Sequence, residues 1–133
     1  MDNTKDIEDG FKETFVSLKN YIKNNCNNSV VDDKMKTCHL MVNFRTKHVI
    51  HACNKYLGEY LEKLTNKDKR FFIHYSNYAK FDKKKKFNKL FGSIVEELIE
   101  LDDSRQEKIF EHIELLVLYS MEYEKLTSKM YIR

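Results

Sequence analysis

The chain has 133 residues, 41% of them apolar and 34% charged, with a formal net charge of +3. That length and apolar share describe one globular domain spanning residues 1–133, not a disordered or multi-domain chain. Nine Phe and eight Tyr promise a core rich in rings, no Pro and only three Gly exclude a fold built on frequent tight turns, and a charge of +3 does not by itself argue for a nucleic-acid partner.

The predicted elements are all helical. The first spans about Thr4 to Asn25, where Ile7, Phe11, Phe15, Leu18 and Ile22 recur at helical spacing. The Asn- and Asp-rich run after Asn24 ends it, because these side chains bond to nearby backbone and compete with the helix. The second helix is expected to start after Asp32 or Asp33, either of which can cap it, and to reach Leu64. Its stripe is Met35, Cys38, Val42, Val49, Cys53, Tyr56, Tyr60 and Leu64. Such a length is unusual for a globular helix, so a break is expected near Thr46, with Thr46 as the cap of the second piece.

Thr65-Asn66-Lys67-Asp68 resembles a capping box and opens a short aromatic helix with Phe71, Phe72, Tyr75 and Tyr78. A fourth helix carries Phe87, Leu90, Phe91, Ile94, Val95, Leu98 and Ile99. Ser104-Arg105-Gln106-Glu107 is a full capping box that opens the last helix, with Ile109, Ile113, Leu116, Ser120, Tyr123, Thr127 and Met130 in line. Its stretch IELLVLY is apolar on nearly every side. The expected architecture is therefore an all-α, single-domain bundle of five helices, six if the second is broken, with the last helix the most buried.

Charge is distributed unevenly. From Thr65 to Leu90 nine Lys and Arg face only Asp68 and Asp82, whereas from Phe91 to Glu124 ten acids face only Arg105 and Lys108. The basic part contains KFDKKKKFNK, in which Lys80, Lys83, Lys84, Lys85, Lys86 and Lys89 interleave with Phe81 and Phe87. Lysines attract phosphate and rings stack on bases, so this run is the candidate nucleic-acid contact. The competing reading is a solvated loop whose rings join the core.

The densest chemistry lies in CHLMVNFRTKHVIHAC, residues 38–53. His48 and His51 are three apart and share a helix face, but Cys53 points away from them on the same helix, and no zinc-type spacing of Cys or His occurs. No metal and no cofactor is expected. Arg45 to His51, RTKHVIH, resembles the arginine-to-histidine motif of the HEPN family, helical domains that often cleave RNA. The resemblance covers seven residues and departs from the family at Thr46, where Asn, Asp or His usually follows the arginine. It implies His51 as the acid/base and Arg45 as the group that stabilises phosphate charge.

Three cysteines leave at least one thiol unpaired, which favours a reducing compartment. No leader and no long apolar run is legible, so the expectation is a cytoplasmic chain with no membrane partner. The Asn27-Asn28-Ser29 sequon keeps a secreted helical ligand, its leader removed, as an alternative. Usage rich in Asn, Lys and Ile, with no Pro and few Gly, points to an AT-rich coding sequence, as in a virus, a phage, a low-GC bacterium or a protist. The expected function is a non-enzymatic protein-interaction module, of the type that modulates host proteins, binding a protein partner or itself as a homodimer. The alternatives are an RNA-directed protein, using Arg45 and His51 or Lys83 to Lys86, and the secreted ligand.

Overall fold

The computed structural model describes residues 3–26, 29–58, 62 and 101–131. Among them there are four helices and no strand: α1 (Asn3–Asn25), α2 (Ser29–Phe44), α3 (Thr46–Leu57) and α4 (Asp103–Tyr131). The expected helices built on Phe71 to Tyr78 and on Phe87 to Ile99 lie outside the described residues.

α1 follows its apolar stripe. Ile7, Phe11, Phe15, Leu18 and Ile22 are all buried, and polar residues cover the rest of the helix. Asp6 in the first turn and Lys23 in the last suit the helix dipole. At the C-terminal end the Asn25 side-chain amide folds back and donates to the Tyr21 carbonyl at 2.8 Å.

α2 starts at Ser29, earlier than the expected Asp32/Asp33 cap, and Asp32 instead lies within its first turn. An acid suits that position whether it caps the helix or only faces the dipole, so the composition did not distinguish the two. Val31, Met35 and Val42 form its buried face, with Cys38 half-buried beside them.

The expected break is present and is one residue wide. Arg45 leaves the helical conformation, with φ −134° and ψ 46°, while hydrogen bonds of helical spacing continue on both sides, Arg45 N–H to Met41 O and Val49 N–H to Arg45 O. Thr46 is not the cap of α3. Its hydroxyl donates backward to Val42 O at 2.6 Å, as Thr14, Thr37 and Thr127 do to Gly10, Asp33 and Tyr123 within their helices, and the cap position belongs to Arg45, which makes no side-chain cap bond.

α4 packs against both α1 and α3, and α2 packs against the same two helices. Of the predicted stripe, Ile109, Ile113, Leu116, Ser120 and Tyr123 are buried, Thr127 is half-buried and the Met130 side chain lies outside what is described, while Phe110 and Val117 widen the buried face. Its cap also differs from the expected Ser104. Asp102 accepts the Arg105 N–H on Oδ1 at 2.9 Å, and the helix begins at Asp103.

Contacts along α1 and α4 run in opposite directions. Gly10 faces Tyr119, and the Tyr21 ring stacks on His112 at 5.9 Å, so the two helices are antiparallel. A Cβ on Gly10 would fall 2.7 Å from the Tyr119 ring; only a hydrogen at this position lets the ring lie against the α1 backbone. α3 is likewise antiparallel to α4, as Cys53 bonds to Ser120 and His51 to Glu124.

Candidate functional site

The break at Arg45 divides residues 38–53 between two helices and sends their side chains to different places. Val42, Ile50 and Cys53 enter the core, Val49 packs at its edge, and Arg45, Lys47, His48 and His51 are exposed. The metal reading of this stretch loses its thiols. Burial pushes the Cys53 thiol up to about 12, against the weaker opposing effect of its Ser120 hydrogen bond, and burial pushes Cys38 up to about 11. Both therefore stay protonated near neutral pH, whereas the metal-binding and nucleophilic form is the thiolate. Cys26 is buried as well, and none of the three cysteines forms a disulfide. Among the described residues no three His, Cys, Asp or Glu side chains gather where they could hold a metal ion.

The histidines take separate partners. His39 lies against the Phe15 ring, and its Nδ1 is 3.0 Å from Lys19 Nζ. An ammonium only donates, so His39 Nδ1 accepts and the neutral ring carries its proton on Nε2. His51 has the opposite tautomer. Its Nδ1 lies 2.6 Å from Glu124 Oε1, a carboxylate that accepts, so the ring donates from Nδ1 and in its neutral form presents Nε2 as an acceptor to solvent. The His51 side chain is 64% exposed. His51 is thus held by Glu124 of α4, a partner 73 residues away that no local spacing signals.

Arg45 sits at the bend, outside the regular turns of α3, and is exposed. Lys80, Lys83, Lys84, Lys85, Lys86 and Lys89 lie outside the described residues, as does His74.

A feature that sequence reasoning missed is the outer face of α2. Leu40 and Phe44 are four apart on the side opposite Val31, Met35 and Val42, with Met41 beside them. Phe44 is 81% exposed, Leu40 59%, and Met41 is exposed too. Lys36, Arg45 and Lys47 are exposed near them in sequence, and no Asp or Glu occurs between Lys34 and Gly58. The signal was available in the sequence: once Val42 is assigned to the core, helical geometry turns Leu40 and Phe44 outward. Among the described residues no helix is long and apolar enough to cross a membrane. The chain matches no protein-family model, no curated protein and no solved structure.

Proposed function

We propose that the chain is a non-enzymatic helical protein-interaction module that docks its partner on the outer face of α2 and the bend at Arg45. The observation that carries this reading is the exposure of Phe44 next to Leu40 and Met41. An exposed apolar cluster on a small domain marks an interaction surface more often than a scattered apolar residue does. An aromatic side chain beside an arginine is also the composition in which binding energy concentrates.

Paired substitutions Leu40→Ser and Phe44→Ser test the reading, because both side chains point away from the core and their loss should leave the helix content intact. Specific protein association of the wild type, measured by sedimentation or by affinity capture, is expected to weaken by roughly tenfold or more. Associations of unchanged strength would overturn the reading.

The His51–Glu124 pair favours a second reading, RNA cleavage. A histidine whose Nδ1 proton is held by a carboxylate keeps Nε2 ready as a general base. Cleavage of single-stranded RNA by the wild type, lost in His51→Ala, would select that reading over the binding module.

A further inference from the structure

We infer that the partner seated on the outer face of α2 is a second copy of this chain, which presents the outer face of its α4. This inference rests on α2 as the docking surface. α4 is apolar beyond what its core contacts use: Leu115, Leu118 and Met121 are exposed on the side away from Ile109, Leu116 and Ser120. Glu111, Glu114 and Glu122 accompany them, and no Lys or Arg occurs between Ile109 and Glu124. The chain therefore carries two exposed apolar faces of opposite charge, one framed by Lys36, Arg45 and Lys47 and one framed by carboxylates.

Complementary charge decides how copies meet. A two-fold contact of α2 with α2 would set lysine and arginine against their own kind, and α4 with α4 would do the same with glutamates. Pairing α2 of one copy with α4 of the next brings apolar side chains together and places each charge opposite its counterpart. Among the described residues both helices turn their apolar cores toward α1 and α3, so their outer faces point away from these helices. The contact is then heterologous: in a pair one copy keeps its α4 face and the other its α2 face, so the pair can grow at both ends. Three apolar side chains on each side form an interface at the small end of specific ones, about 1,200 Å² or below, so association is weak and concentration-dependent.

The test uses sedimentation velocity of the full chain and two variants, Leu40→Ser/Phe44→Ser and Leu115→Ser/Leu118→Ser, each checked for helix content and urea midpoint. The wild type is expected to grow in mass with concentration, and less so in about 0.5 M than in about 0.05 M salt. Each variant alone should stay monomeric. Their equimolar mixture should form a heterodimer that grows no further, because one intact α2 face and one intact α4 face remain between them. A monomeric wild type at every concentration overturns the inference and leaves α2 docking open to another protein. Association lost only in the α2 variant also overturns it, while supporting the docking surface itself. A urea midpoint lowered in the α4 variant assigns Leu115 and Leu118 to the folded chain and likewise overturns it.

Discussion

Cys53 shows how burial changes what a side chain can do. Its sequence neighbourhood of histidines, arginine and a second cysteine is that of a reactive site, yet it lies in the core between α3 and α4, bonded to Ser120. Its thiol is raised from 9.0 to about 12, so between those values the folded protein holds a proton that the unfolded chain releases. Proton binding is then greater in the folded state, and stability falls as pH rises through this window. The expected outcome is a urea midpoint that declines from pH 9 upward, with a shallower decline in Cys53→Ala whatever the effect of that substitution at pH 7. Equal slopes in the two proteins would show that the thiol does not titrate differently on folding. Cys38 was assigned to the same apolar stripe and is only half-buried, because it lies at the margin of the α2 face centred on Val42.

At the scale of the element, periodicity identified stripes well and ends poorly. The α1 stripe is buried in full, and the helix begins within one residue of the expected Thr4. The start of α4 was assigned to Ser104 because Ser-x-x-Glu is a capping pattern, but Asp102 lies two residues earlier and has the same chemistry. Two acceptors compete for one set of N–H groups, and only backbone geometry decides between them. Asp102→Ala is expected to destabilise the protein by about 1 kcal/mol, and Ser104→Ala to change it by a few tenths at most. Thermal or urea unfolding of the two variants checks this, and the opposite ranking would restore Ser104 as the cap. The bend was legible for a different reason: a run of helical periodicity too long for a globular helix needs an interruption. Its exact place was not, since the backbone departs from the helix at Arg45, one residue before Thr46, and Thr46 bonds back to Val42 O and does not cap the second piece.

At the scale of the whole molecule, the packing of α1 on α4 depends on a contact that neither helix reveals alone. Gly10 reads as a weak point of α1, where alanine would favour the helix by about 1 kcal/mol. Across the interface, however, Tyr119 occupies the space an alanine methyl needs. Gly10→Ala should therefore be more favourable by about 1 kcal/mol or more in a Tyr119→Ala background than in the wild type, a coupling that a double-mutant cycle of urea unfolding measures. An equal effect in both backgrounds would place Tyr119 elsewhere.

The sequence by itself determined that the described part of the chain is helical, which residues of α1 and most of those of α4 turn inward, and that residues 38–53 contain an interruption. These follow from local rules: helical spacing sorts side chains by face within a single element, and its constraint extends only a few residues along the chain. Tertiary structure alone decided that His51 meets Glu124, that Gly10 meets Tyr119 and that burial raises the Cys38 and Cys53 thiols above their ordinary value. It also decided which apolar residues remain exposed, Phe44 and Leu118 among them. Each of these depends on which helices lie side by side, and many pairs of apolar faces satisfy the same pattern until the backbone packs and selects one.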